Sequence, residues 1–358
     1  MKADPILKSI ITVFLIAGFF ILASASIGVT ANLKLPSYYF ILRQLLTGGL
    51  AGMILFLFAY KTSYKRWRRW ALVIFGLSII LTAAVFIPRI GFSSGGASRW
   101  LSLGPLSFQP SEFLKFGLIL YLAAWFSSNR KITSVKNGLV PFLIITGIAG
   151  ILLIFQKDVG TLGVLALSGL FVFLIAGGKF SHVLLLVLVG LAFLAILVYL
   201  ESYRIDRILV FFNPEYDPAG AGYQVKQSLI AIGSGGIFGR GFGMSRQKFQ
   251  YLPEPVGDSI FAVAAEEFGF IGSAAMILLF IIFAWRGFYV SRFATDTFGK
   301  LLGSGIVILV VVQSLVNIAA LSGLAPLTGI PLIFVSQGGS ALAMTLLEMG
   351  ILLNISKS

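Results

Sequence analysis

Asp258 and Glu254 stand four residues apart in the segment Lys248–Gly272 (KFQYLPEPVGDSIFAVAAEEFGFIG), where a polar stretch gives way to an apolar one. A carboxylate at that boundary can stay ionised in water while within reach of a molecule dissolved in lipid. It could serve as a general base, which requires hydrogen-bond reach of a substrate hydroxyl. The same position suits a helix cap, because a helix N-terminus stabilises a carboxylate by roughly 0.3–1 kcal/mol. Spacing alone leaves the two roles equal. Pro253 and Pro255 stiffen the approach, and Gly257 permits a sharp turn just before Asp258. Glu266 and Glu267 follow two turns deeper, and an ionisable side chain inside an apolar segment is by default a functional candidate.

Three further clusters carry polar chemistry. The first is Gly96-Ala97-Ser98-Arg99-Trp100, then Gln109-Pro110-Ser111-Glu112 and Lys115. Pro110 suits a first helical turn, and Glu112 and Lys115, three residues apart, can pair on one helix face; either could instead face a substrate. The second is Gln156-Lys157-Asp158-Val159-Gly160-Thr161, where Asp158 could cap the next helix, bind a ligand cation or orient Arg99. The third is a glycine-dense run from Gly220 to Gly243 with Arg240, Arg246 and Lys248 close by. Backbone N–H groups in such a run can cradle a pyrophosphate. Glycine serves ordinary turns equally well, and no P-loop spacing is present.

The elements that must hold these residues are membrane helices. The 358 residues are 58% hydrophobic and only 11% charged, with mean hydropathy +0.98, against roughly 25% charged residues in soluble domains. The apolar runs are too long for the alternating, roughly ten-residue strands of a membrane β-barrel. With about 20 apolar residues needed per crossing, an all-α integral membrane fold with ten transmembrane helices is expected. The expected spans are 6–27, 39–60, 70–87, 111–127, 138–155, 161–178, 182–200, 259–285, 301–322 and 332–354. They form one polytopic domain over residues 1–358, with one large extracytoplasmic loop, 201–258, between helices 7 and 8. Ala23-Ser24-Ala25 resembles a signal cleavage site, but the apolar run exceeds a signal h-region, so the first helix is expected to be retained.

Ten spans put both termini on one side, taken as cytoplasmic. Of the 27 Lys and Arg, 15 then lie inside and 12 outside, six of them in the long loop; short loops therefore follow the positive-inside bias. Eight of the 13 acidic residues fall outside, with all four polar clusters. The net charge of +14 is concentrated at Lys61–Arg69 between two apolar runs, which reads as membrane orientation and argues against nucleic acid. The absence of cysteine excludes disulfides and thiolate metal sites. A single histidine, His182, argues against histidine metal or triad chemistry. No internal repeat is evident, which weakens a transporter reading.

Taken in order, these motifs resemble the SEDS family, which includes FtsW, RodA and SpoVE. They are Gly96…Arg99-Trp100, Gln109-Pro110-Ser111-Glu112…Lys115, Gln156…Asp158…Gly160-Thr161, Gly222-Tyr223-Gln224…Gln227-Ser228, and Leu252-Pro253-Glu254…Asp258. The C-terminal run Asn317…Gly323-Leu324-Ala325-Pro326-Leu327-Thr328-Gly329-Ile330-Pro331 and Ser336-Gln337-Gly338-Gly339-Ser340 is similar too, so the resemblance covers nearly the whole chain. It implies a peptidoglycan glycosyltransferase of the bacterial cytoplasmic membrane that polymerises lipid II at the outer face. Asp258 matches the family's essential extracytoplasmic aspartate, the base, and undecaprenyl pyrophosphate is the leaving group. Glu112 and Lys115 match a polar pair in the fourth span.

On the same footing, Arg99, Asp158, Arg240, Arg246, Lys248, Glu254 and Ser336 are expected to bind substrate. The expected partners are lipid II, the lipid-linked glycan, membrane lipid and a class B penicillin-binding protein supplying transpeptidation. No cofactor is certain; carboxylates plus pyrophosphate would suit a divalent cation such as Mg or Mn. Glu254-Pro255 after Leu252-Pro253 leans toward division- or sporulation-type members. Gly257 and Ser259 depart from the family's usual Thr and Phe around the aspartate, and Gln337 from its usual Tyr or small residue. A lipid II flippase and a non-catalytic scaffold for the transpeptidase are the competing readings.

Overall fold

The computed structural model describes residues 3–94, 97–104, 106–129 and 131–357, so Gly96 of the first motif lies outside the described residues. Helix α1 (Pro5–Leu33) shows how local chemistry sets the elements. Asp4 accepts the Leu7 N–H at 2.7 Å, Pro5 fills the first turn, and Lys34 ends the helix in the left-handed region at φ 53°. Among the described residues, seven helices are long and apolar enough to cross a membrane: α1, α2 (Tyr39–Lys61), α3 (Tyr64–Phe86), α5 (Val135–Phe155), α7 (Phe180–Tyr199), α10 (Ile260–Arg292) and α11 (Thr297–Leu321). Two apolar helices are shorter, α6 (Val159–Ile175) and α12 (Gly339–Ile355), and α4 (Pro110–Ser128) carries the Glu112 and Lys115 charges. Each of the ten expected spans overlaps one of these helices.

Helices α4, α11 and α12 form the centre. They bury residues on all sides, including Leu114, Phe116, Leu302, Ile306, Met349 and Leu352. Small residues let the helices approach closely, as membrane helices require: a Cβ on Gly52 of α2 would lie 2.6 Å from Leu346, and one on Gly350 would lie 2.5 Å from the Phe56 carbonyl. Helix α7 lies at the periphery with most of its apolar side chains exposed, Phe180, Leu188 and Tyr199 among them.

Four features depart from the expected pattern. The last span starts at Gly339, not 332, because Leu332–Val335 is non-helical although apolar, with Phe334 at φ 68°. A three-stranded antiparallel sheet, β1 (Gly91–Ser94), β2 (Ala97–Leu103) and β3 (Leu106–Phe108), presents Arg99. The long 201–258 loop holds two helices, α8 (Ser202–Phe212) and α9 (Ala221–Ser234).

Fourth, α10 is broken. Gly269 has φ 65° and ψ −161°, a conformation essentially reserved for glycine. The peptide groups freed there pair with segment 236–241. Glu266 O and Glu267 O accept the N–H groups of Arg240 and Gly241, both at 3.0 Å. The N–H groups of Phe270 and Ile271 donate to Gly236 O and Ile237 O, at 2.8 and 3.1 Å. Irregular backbone at membrane depth survives only when neighbours satisfy it in this way.

Candidate active site around Asp258

Asp258 sits one residue before the N-cap of α10, which is Ser259. It is therefore not the helix cap that spacing left open, and its carboxylate is available. Three successive carbonyls lock its main chain. Val256 O accepts the Gln337 N–H at 2.8 Å, Gly257 O accepts Ser336 Oγ–H at 2.7 Å, and Asp258 O accepts Asn317 Nδ2–H at 2.8 Å. The non-helical stretch before α12 is what supplies the first two donors. Leu332–Val335 are apolar because they are buried, not because they span.

The carboxylate itself lies among few partners. Gln224 of α9 points its amide between Asp258 Oδ1 (3.5 Å) and Ser259 Oγ (3.1 Å), the second contact being the closer. Gly329 backs the other oxygen: at φ 66°, its missing Cβ would stand 3.7 Å from Asp258 Oδ2. Burial pushes the Asp258 carboxyl up from 3.8 to about 6, and the charge of Glu254 adds to the rise. The Gln224 hydrogen bond and the Arg207 charge pull the other way. Glu254 is itself in the left-handed region (φ 48°) and caps the turn, its carbonyl accepting the N–H groups of Gly257 and Ser259 at 3.0 and 3.2 Å.

The loop after α11 joins this seat to the second cluster. A Cβ on Gly160 would lie 2.5 Å from Thr328 O, so only glycine lets α6 start this close. Asp158 caps α6 by accepting Thr161 N–H at 3.3 Å and also lies 4.0 Å from Arg99 Nε. Both expected roles, cap and Arg99 partner, are thus combined. Asp158 Oδ2 and Arg99 Nε are buried without a hydrogen-bond partner, while the Arg99 guanidinium donates to Lys157 O.

Glu112 and Lys115 form the expected pair at 2.9 Å, both almost fully buried. Lys115 also bonds Gln313, whose Nε2 donates to Pro331 O at 3.0 Å. Glu112, Lys115, Gln313 and Glu348 line one small buried cavity. A continuous polar path therefore runs from the pair, through Gln313 and the 329–331 loop, to Asp258.

The cations expected near pyrophosphate lie elsewhere, at the break in α10, about 12 Å along the helix from Asp258 at 1.5 Å per residue. Lys248 is sealed from solvent, its ammonium 2.7 Å from Glu267 and 3.0 Å from Ser24 Oγ. Arg240 lies 3.6 Å from Glu266, and Glu266 also accepts Ser245 Oγ–H and the Arg246 and Gln247 N–H groups. Arg246 leaves its side chain exposed. Ser336 faces inward, accepting Leu332 N–H at 2.8 Å while donating to Gly257 O.

Sequence reasoning missed three side chains. Arg207 of α8 lies beside Asp258 and donates to Leu327 O at 2.8 Å; the amphipathic pattern of Ser202–Phe212 was the available signal. Glu348 was detectable as a lone acid in the final apolar run. Gln313 carried no signal of its own. Among the described residues, no group of three or more His, Cys, Asp or Glu is placed to hold a metal ion.

Residues 6–358 match the family model for FtsW, RodA and SpoVE, described as "Cell cycle protein". The chain is 40% identical to Stage V sporulation protein E of Bacillus subtilis, over 99% of this chain and 98% of the relative. It is 39% identical to the probable peptidoglycan glycosyltransferase FtsW of Trichlorobacter lovleyi, over 99% and 93%. Among solved structures it is similar to a chain of a peptidoglycan synthase complex, described as structural coordination of polymerization and crosslinking (TM-score 0.81, 29% identity, covering 100% of this chain and 98% of that one). It is also similar to the rod shape determining protein RodA of Thermus thermophilus (TM-score 0.74, 28% identity, 100% and 97% covered).

Proposed function

The chain belongs to the FtsW/RodA/SpoVE family, and from that premise we propose that it is a peptidoglycan glycosyltransferase polymerising lipid II at the outer face of the bacterial cytoplasmic membrane. The observation that carries this reading is the Asp258 seat: a carboxylate uncommitted to capping, fixed through its main chain and pushed up to about 6. A base works best when its pKa lies near the operating pH, which an ordinary surface aspartate at 3.8 would not meet.

Asp258 takes the proton from the 4-hydroxyl of one lipid-linked disaccharide. The freed oxygen bonds to the anomeric carbon of the growing lipid-linked glycan, the bond from that carbon to the pyrophosphate breaks, and undecaprenyl pyrophosphate leaves. Arg99, held by Asp158 at the surface of the sheet, and Arg207 are the cations best disposed toward the leaving group, since guanidinium forks match phosphate oxygens. The Glu112–Lys115 pair acts at one remove, through Gln313 and the 329–331 loop. Any Mg2+ or Mn2+ would be carried mainly by substrate pyrophosphate, and no step above depends on it. Both termini are assigned to the cytoplasm, and a class B penicillin-binding protein is the expected transpeptidase partner.

Purified Asp258→Asn supplied with lipid II should remain folded and make no glycan strands. Wild-type polymer from that variant would end the base assignment. Flipping of labelled lipid II in vesicles by the same inactive variant would favour a transport role.

A further inference from the structure

Asn317 lies on α11, one turn beyond Gln313, and its amide makes two bonds of equal length. Nδ2 donates to Asp258 O and to Ile330 O, each at 2.8 Å. Both partners are carbonyls, which only accept, so the nitrogen must be the atom that faces them. The amide oxygen is buried and unpaired, so the side chain is oriented by its donors alone. Gln313 repeats the grip on the next carbonyl, Pro331 O at 3.0 Å. Two amides one turn apart thus hold successive peptides of the loop that backs Asp258 Oδ2 through Gly329.

We propose that Asn317 is a positioning residue for the general base, tying the Asp258 peptide to the Gly329–Pro331 loop so that the carboxylate meets the sugar hydroxyl in one fixed geometry. This rests on Asp258 being the base. Few side chains could replace Asn317: an uncharged group with two donors at this reach is needed, and a leucine of similar size has none. Glu254 on the same segment and Arg207 on α8 are the charged groups facing Asp258, with Gln224 of α9 as a neutral donor. The loop from Leu327 to Pro331 contains no titratable residue. Release of the peptide would let water reach the carboxyl, and burial is the largest influence raising it.

The full-length protein carrying Asn317→Leu should be assayed for lipid II polymerisation across pH 5–8, beside thermal melting. Misplacement by about 1 Å costs roughly a hundredfold in rate. A loss of that order in kcat is expected, with KM for lipid II within about twofold and the acid limb moved below about 6. Ser336→Ala, which releases the neighbouring Gly257 carbonyl, should shift the limb the same way by less, and it serves if Asn317→Leu does not fold. A wild-type kcat and acid limb would overturn the proposal, as would a rate loss arising wholly from KM with the limb unmoved. Asp258→Asn run in parallel separates the two ideas. Polymer from that variant sinks the base reading, whereas an inactive Asp258→Asn beside a normal Asn317→Leu sinks only the positioning role.

Discussion

The Lys248 ammonium lies 2.7 Å from Glu267 Oε1, and both side chains are closed off from solvent. Removing one member of such a pair strands the other as a buried charge, at a cost of about 3–5 kcal/mol. Lys248→Met should therefore lower the melting temperature sharply, and adding Glu267→Gln should restore most of the loss. A single variant as stable as wild type would show that water reaches the pair.

The turnover of the enzyme should fall as pH drops through about 6, where Asp258 gains its proton. Glu254→Gln removes a charge that raises this value, so its acid limb should move toward 3.8. The effect on stability runs oppositely. The folded carboxyl binds a proton more readily than the unfolded one, so stability should rise as pH falls from about 6 toward 4. Asp258→Asn should gain on the order of 2 kcal/mol at pH 7, discounted for the carboxylate's remaining solvent contact. Melting curves at pH 5 and 7 check the sign.

Ser259 draws the Gln224 amide, 3.1 Å away, from the Asp258 carboxylate at 3.5 Å. Ser259→Ala should release that donor to Asp258 and lower the acid limb, while Gln224→Leu should raise it. Both shifts are read from log kcat against pH, and equal displacement in one direction would contradict the sharing.

Gly269→Ala should fold poorly. The new Cβ would stand 2.3 Å from Gly239 N and 2.6 Å from Ile237 O, in a backbone region costing about 1–3 kcal/mol for other residues before any clash. Membrane yield and melting temperature report it.

Much of this arrangement was legible in the chain. Apolar runs located helices because the bilayer imposes length and composition together, and Pro110, Glu112 and Lys115 fell into place because caps and i,i+3 pairs are local. What failed was non-local. Leu332–Val335 reads as membrane span, yet its neighbours Ser336 and Gln337 donate to Val256 and Gly257, some eighty residues earlier. Lys248 reads as a phosphate ligand because nothing nearby in sequence announces its pairing with Glu267 and Ser24. Asp258 could not be told from a cap, because a shift of one residue decides between the two. The break at Gly269 was hidden because Phe268 and Phe270 flank it and the segment that satisfies its peptides, 236–241, lies far earlier in the chain.

That break joins the loop and the helix into one unit of opening. The amides of Arg240, Gly241, Phe270 and Ile271 are protected only while segment 236–241 stays inserted. Their deuterium uptake should therefore be correlated, all four exchanging in a single event, although thirty residues of chain separate the two pairs.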